Sequence, residues 1–193
     1  MEAKYAKFIW TSSWFSVRWN WKIWKSCFRI LFIIGAKGEE IAKKLNANVE
    51  LVKSAIALID IKLGECHKLG IPKQHVQKSY EYAKQILEAN KVDEKTKKFL
   101  LDCVLNHHTI GKRNSLEEEI VINADCYRFI HPLGVFAWIQ EVTKRGKKHN
   151  EAIDLVLAKL EEKHELLSLD CCKKELEPYY KQIKSLLEQA KTK

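Results

Sequence analysis

The sequence predicts an all-α protein folded as a single-domain bundle of helices. Apolar residues recur at intervals of three and four along most of the chain, which is the spacing of one buried helical face. Only seven Gly and three Pro occur among 193 residues, and the alternating polarity typical of strands is absent. A chain of this length suits one globular domain with a substantial core.

Breaker and capping residues delimit the predicted helices of the first half. These helices cover residues 39–45 (or the end of an earlier helix), 49–63, 72–89 and 93–107. Gly64 is expected to end the second of them, and Pro72 can begin the third at its first helical position. Asp93 is expected to cap the fourth, since a carboxylate there accepts a bond from a free backbone N–H.

The second half continues in the same way, with helices predicted over residues 115–129, 132–146, 150–168 and from 170 onward. Ser115 and Glu118 have the spacing of a capping box. The other starts rest on a proline or an N-cap residue, namely Pro132, Asn150 and Asp170. Pro178 is expected to break the last helix or to delay its entry.

Residues 1–37 differ in composition from the rest, residues 38–193. Five of the six Trp lie between positions 10 and 24, interleaved with Lys and Arg. Three interpretations stay open: a first helix that packs on the body with snorkelling basic side chains, a peripheral membrane anchor, or an extension foreign to the fold.

The formal net charge of +9 is concentrated in this segment, where seven Lys/Arg face Glu2 alone. The body is nearly balanced, so nucleic acid is not expected as the main partner. Six Cys occur without a Cys-x-x-Cys pair, and no secretory signal is evident. Reduced thiols in a cytoplasmic protein are the simplest expectation.

Two aspartates stand out because their neighbours are apolar. Asp60 follows Ile56 to Ile59, and Asp125 ends the run that starts at Ile120. A carboxylate in such a place is costly to bury unless a metal, a donor or a cation neutralises it. With histidines on the intervening helices, the two aspartates predict a metal site.

The chain resembles small HD-domain phosphohydrolases over residues 40–190. The segments that carry the resemblance are Ala57-Leu58-Ile59-Asp60, His75 with Ser79, Asn106-His107-His108, and the run from Ser115 to Asp125. The resemblance implies a helical bundle that binds one or two divalent metals (Mn, Fe, Ni, Mg or Zn). It also implies a catalytic role for the two aspartates. The implied metal ligands are Asp60, His75, His107 or its neighbour His108, and Asp125.

The family pattern is incomplete here. Ile59 stands where the histidine of the His-Asp pair would be, and no histidine precedes His67 to serve as the first ligand. By the resemblance, one ion would use Asp60, His75 and His107. The other would keep only the carboxylates of Asp60 and Asp125, so activity is expected to be impaired.

Lys112 and Arg113, in the loop after His107, are candidates for holding a substrate phosphate, although an exposed basic turn explains them equally well. A structural zinc set of Cys66, His67, Cys103 and His107 is a weaker possibility. So is a nucleophilic role for Cys126, because no base is placed beside it.

The expected function is therefore hydrolysis of nucleotides or related small phosphoesters by a degenerate metal centre. The alternative is a non-catalytic helical binding module that keeps the same fold.

Overall fold

Helices make up nearly all of the chain that the computed structural model describes, which is residues 21–111 and 113–191, with side chains from residue 33 onward. In chain order they are α1 Trp21–Lys44, α2 Val49–Ile59, α3 Leu63–Lys68, a single 3-10 turn Pro72–Gln74, α4 His75–Ala89, α5 Glu94–Asn106, α6 Leu116–Ile130, α7 Pro132–Lys144, α8 His149–Glu165 and α9 Asp170–Gln189. No strand occurs in these ranges, so the all-α prediction is confirmed.

Helix α6 lies at the centre of the bundle and packs against α1, α2, α7, α8 and α9. Apolar residues on several sides of α6 are fully buried, among them Ile120, Val121 and Ile122. Gly38 lets α1 approach α2 closely, because a Cβ at this position would lie 2.3 Å from Cδ1 of Ile56. A helix buried on several sides can bring polar residues into the interior, and α6 carries both Asp125 and Arg128.

Helix α1 runs across the predicted boundary between residues 37 and 38 without a break. Ile34, on the N-terminal side of that boundary, is fully buried in the common core. Of the three interpretations of residues 1–37, a first core helix fits the part from Ile34 onward. The predicted membrane contact depends on tryptophans whose side chains lie outside the described residues. Among residues 21–111 and 113–191, no helix combines the length and the apolar content that crossing a bilayer would require.

The prediction of one helix over residues 49–63 is wrong. Helix α2 ends at Ile59 and Asp60 is its C-cap, while Gly64 lies inside α3 rather than ending a helix. The tight turn that follows is held by a long-range bond, in which the Lys62 N–H donates to the buried hydroxyl of Ser79 at 3.1 Å. Because this partner is 17 residues away on α4, hydrophobic periodicity did not reveal the break.

Capping residues of two later helices are confirmed. Asp93 accepts from the Thr96 N–H, and Ser115 accepts from the Glu118 N–H. The Glu118 carboxylate completes the start of α6 differently from a capping box, since it accepts from the N–H of Asn114 rather than from that of Ser115.

The last two helices depart from their predicted limits. Helix α8 begins at His149 and ends at Glu165, and its N-cap is Lys148 instead of Asn150. Helix α9 begins at Asp170, with Leu169 as its N-cap. It continues through Pro178, so the predicted interruption there is wrong. Packing of Leu176 and Leu187 in the core offsets the backbone bond that proline cannot make.

Candidate metal centre

Four side chains that could bind a metal ion converge between α2, α4 and α5. Asp60 is the C-cap of α2, His75 is the first residue of α4, His107 is the C-cap of α5, and His108 follows it. One ligand atom from each of these residues lies within 4.8 Å of the other three. Among the described residues, this is the group of His, Cys, Asp or Glu side chains whose ligand atoms lie close enough together to share one metal ion.

Backbone contacts fix the tautomers of two of the imidazoles. Nδ1 of His75 lies 2.7 Å from the carbonyl oxygen of Pro72, and Nδ1 of His107 lies 2.8 Å from that of Val104. A carbonyl can only accept, so Nδ1 is the protonated nitrogen in the neutral ring and Nε2 keeps its lone pair. Metal-binding histidines commonly have such a partner on the other ring nitrogen.

The unprotonated Nε2 atoms of His75 and His107 both face a carboxylate oxygen of Asp60. Oδ1 of Asp60 lies 3.4 Å from Nε2 of His75 and 3.6 Å from Nε2 of His107. Both Oδ1 of Asp60 and Nε2 of His107 are buried without a hydrogen-bond partner. Buried polar atoms are nearly always paired, so this unpaired set is what a bound cation would satisfy.

The second oxygen of Asp60 is held by Arg128. A guanidinium nitrogen of Arg128 lies 2.5 Å from Oδ2 of Asp60, and the same nitrogen is 3.6 Å from Oδ1 of Asp125. Burial alone would raise the pKa of Asp60, but the charge of Arg128 and the contact with His107 hold it well below the usual range. Asp60 is therefore ionised with one oxygen committed to Arg128.

Asp125 does not join the four-residue group. Its Oδ2 lies 2.8 Å from the Lys163 ammonium, and both side chains are almost completely inaccessible, at 1% and 0% exposed. Burial acts to raise the pKa of Asp125, yet Lys163 and Arg128 lower it to about 2. These contacts are those of a carboxylate neutralised by two cations, which differs from the ligand role implied by the resemblance.

His108 contacts both His75, which belongs to the group of four ligands, and Lys163, which is the partner of Asp125. Its Nε2 lies 3.2 Å from Nε2 of His75, and its Nδ1 lies 3.1 Å from the Lys163 ammonium and 3.2 Å from a carboxylate oxygen of Glu162. Burial lowers the pKa of His108 to about 4 in spite of Glu162, so the ring is neutral near pH 7. The Lys163 ammonium can only donate, so its contact makes Nδ1 of His108 an acceptor and places the ring proton on Nε2, which faces the Nε2 lone pair of His75. His108 can offer an Nε2 lone pair to a metal ion when that proton moves to Nδ1, where Glu162 can accept its hydrogen bond.

Of the two predicted phosphate-binding residues, the structure describes Arg113. Arg113 is turned back onto its own loop, where it donates to the carbonyl oxygen of Thr109 at 2.7 Å. Lys112 lies outside the described residues. The alternative zinc set is not formed either, because the group of ligands contains no cysteine. Cys126 is buried, and burial raises the pKa of its thiol, which makes it a poor nucleophile.

Arg128 and Lys163 are the residues that the sequence analysis missed. A signal existed for each of them. Arg128 lies one helical turn after Asp125 on α6, and Lys163 continues the buried stripe of Ile153, Val156 and Leu160 on α8. A lysine at a core-facing position of a helix predicts a buried anionic partner.

The donor set suits particular ions. One carboxylate oxygen and three imidazole nitrogens fit Zn²⁺, Fe²⁺, Mn²⁺ or Ni²⁺, whereas Mg²⁺ prefers an all-oxygen environment. Access is from one side, since the side chains of His75 and His108 are 15% and 25% exposed while that of His107 is fully buried.

Comparisons with known proteins assign no family to the chain. No protein-family model, curated protein or solved structure matches it. The resemblance to HD-domain phosphohydrolases therefore depends on the sequence motifs.

Proposed function

We propose that this chain binds a single divalent metal ion at Asp60, His75, His107 and His108, and that it hydrolyses nucleotides or related phosphoesters in the manner of HD-domain enzymes. The observation that carries the proposal is the convergence of unpaired acceptor atoms, above all Oδ1 of Asp60 and Nε2 of His107, in a buried place.

The contacts around these atoms support a metal rather than a structural hydrogen-bond network. A carboxylate oxygen and imidazole nitrogens that carry lone pairs repel one another unless a proton or a cation lies between them. Two of the three rings have their Nδ1 proton committed to a backbone carbonyl, and this orients Nε2 towards Asp60. Such orientation is the usual contribution of residues that support metal ligands.

A divalent ion in this place would polarise a phosphoryl oxygen and lower the pKa of a bound water molecule. The chain's own residues hold the metal ligands in place and orient their donor atoms. Arg128 fixes Oδ2 of Asp60 so that Oδ1 is left for the ion. Glu162 lies 3.2 Å from Nδ1 of His108 and can accept the ring proton's hydrogen bond there when Nε2 binds the ion. The exposed edges of His75 and His108 are the side from which a phosphoester would approach.

The proposal is for one ion because the space between the two aspartates already contains a cation. Arg128 lies between Asp60 and Asp125, and Lys163 neutralises Asp125 from the other side. Since two-metal sites stabilise the attacking and the leaving oxygen together, a one-ion centre is expected to hydrolyse phosphoesters slowly.

Metal reconstitution followed by elemental analysis tests the proposal. The protein is loaded with Mn²⁺, Fe²⁺ or Zn²⁺, dialysed, and assayed for metal content and for hydrolysis of p-nitrophenyl phosphate. We expect about one ion per chain and metal-dependent turnover. His107→Gln should lose both properties, whereas His149→Gln, at an exposed position on α8, should keep both. Failure of the unaltered protein to retain any of the three metals would contradict the proposal.

A non-catalytic helical binding module is the second candidate, and one observation favours it. Both buried aspartates already have a cationic partner, so the fold has its charges balanced without a metal ion. A protein that retains metal but hydrolyses no phosphoester would support this candidate over the enzyme.

A further inference from the structure

The charges inside the candidate metal centre cancel before any ion is added. Asp60 is paired with Arg128 at 2.5 Å, and Asp125 is paired with Lys163 at 2.8 Å. The three histidines contact Oδ1 of Asp60, backbone carbonyls, each other, and the side chains of Lys163 and Glu162. Glu162 adds no net charge to the group, because both of its oxygens lie within 2.8 Å of the Lys159 ammonium.

A divalent ion bound by these ligands would therefore leave two positive charges uncompensated. The four ligand side chains, together with Arg128, Asp125 and Lys163, are between 0% and 25% exposed, so water screens the excess poorly. An unbalanced charge in such surroundings is unfavourable, and an anionic ligand of the ion can offset it. Here the only carboxylate among the four ligands has already been neutralised by Arg128.

We infer that the centre takes up its ion together with an oxyanion, and that Arg128 and Lys163 make the binding of each depend on the other. The inference rests on the proposed function. A phosphate dianion, free or as a phosphomonoester group, has the charge that restores neutrality and the oxygen donors that complete the coordination of the ion. The ion alone and the anion alone each bind less tightly than they do together, because each by itself leaves the centre charged.

The dependence is reciprocal. If phosphate raises the affinity for the ion by a certain factor, the ion raises the affinity for phosphate by the same factor. Removal of one buried cation should raise the affinity for the metal ion and lower the affinity for phosphate. Without Lys163, Asp125 supplies a negative charge, so the ion should bind more tightly in the absence of phosphate and phosphate should add less.

Binding of micromolar Mn²⁺ to the full-length protein tests the inference, with free Mn²⁺ measured by electron paramagnetic resonance in a chloride buffer. The titration is made with and without inorganic phosphate on the unaltered protein, on Lys163→Met and on Lys184→Met. Lys184 is the matched control, since it lies on α9 and pairs with exposed Glu161. Circular dichroism checks folding, and Arg128→Met provides the same change of charge at the other ion pair if Lys163→Met does not fold.

For the unaltered protein and for Lys184→Met, we expect phosphate to lower the Kd for Mn²⁺ by about tenfold or more. For Lys163→Met, we expect a lower Kd than that of the unaltered protein without phosphate, and a smaller effect of phosphate. An equal Kd for Mn²⁺ with and without phosphate in the unaltered protein would overturn the inference while leaving the metal site in place. Absence of Mn²⁺ binding under every condition would overturn both the inference and the proposed function.

Discussion

The ammonium group of Lys163 lies 2.8 Å from Oδ2 of Asp125, and neither side chain has appreciable contact with solvent. The pair joins α8 to the central helix α6. Removal of one member of a buried ion pair leaves a desolvated charge without a partner, which is far more costly than the net contribution of the intact pair. This relationship makes the interior of the bundle sensitive to single substitutions of either residue.

Asp125→Asn should lower the free energy of unfolding by about 3–5 kcal/mol at pH 7, because Lys163 would stay buried without its counter-charge. Chemical denaturation monitored by circular dichroism measures the change. The double variant Asp125→Leu with Lys163→Met should be more stable than Asp125→Asn, since it contains no unpaired buried charge. Equal stability of Asp125→Asn and the unaltered protein would show that the pair does not form in solution.

Acid should destabilise the protein through the same carboxylate. The pKa of Asp125 is lowered to about 2 in the folded protein from an ordinary value of 3.8. The stabilisation is therefore fully present above about pH 4 and is lost as the pH falls towards 2. We expect this group to contribute on the order of 2 kcal/mol to the decrease. Asp125→Asn, which lacks the group, should lose less stability over this pH range in urea denaturation series.

Gly134 and Gly64 should respond in opposite ways to alanine. A Cβ at Gly134 would lie 2.3 Å from the carbonyl oxygen of Arg128, and backbone at that distance cannot move aside without separating α7 from the end of α6. Gly134→Ala should therefore lower the free energy of unfolding by about 1–3 kcal/mol. It should also weaken metal binding by displacing Arg128. Gly64 has open space around it, so Gly64→Ala in α3 should stabilise by about 0.5–1 kcal/mol.

Thermal unfolding and Mn²⁺ titration of these two glycine variants supply the measurements. A Gly134→Ala protein with unaltered Tm and metal affinity would mean that α7 does not pack on the last turn of α6 as described.

Deletion of residues 1–37 should disrupt the fold. It removes Ile34, which is fully buried, and Lys37, whose ammonium lies 2.9 Å from the Glu175 carboxylate on α9. It also removes most of α1, which packs against α2 and α6. We expect the truncated chain to be insoluble or to lose its cooperative thermal transition. A truncated chain with the helicity and Tm of the full-length protein would instead support an extension foreign to the fold.

The fold was largely predictable because helices are specified by neighbours in sequence. Asp93 and Ser115 accept bonds from N–H groups three residues ahead, so their capping roles can be identified from the sequence alone. The predicted helix limits are wrong where a residue distant in sequence determines whether a helix ends or continues. The end of α2 depends on Ser79, and the passage of α9 through Pro178 depends on core packing around Leu176.

The candidate site was predictable only as a set of residues. The sequence identified Asp60, His75 and either His107 or His108 as possible ligands. The structure brings both of these histidines into the group, because the helix ends at His107 and the adjacent side chains are no longer held apart by helical geometry. The sequence placed Asp125 in the same role, but the carboxylate is paired with Lys163 instead. The core-facing position of Lys163 on its helix indicates a buried anionic partner, but no local pattern indicates which carboxylate that partner is.

The sequence by itself determined the all-helical architecture, the buried faces and the residue types that could bind a metal ion, because periodicity, caps and side-chain chemistry are local properties. Only the tertiary structure decided how the buried charges are paired. Arg128 reaches Asp60 across 68 positions of sequence, and Lys163 reaches Asp125 from a different helix. The physical reason is that the cost of an unpaired charge depends on burial and on distances of a few ångströms, and these exist only once the helices have packed.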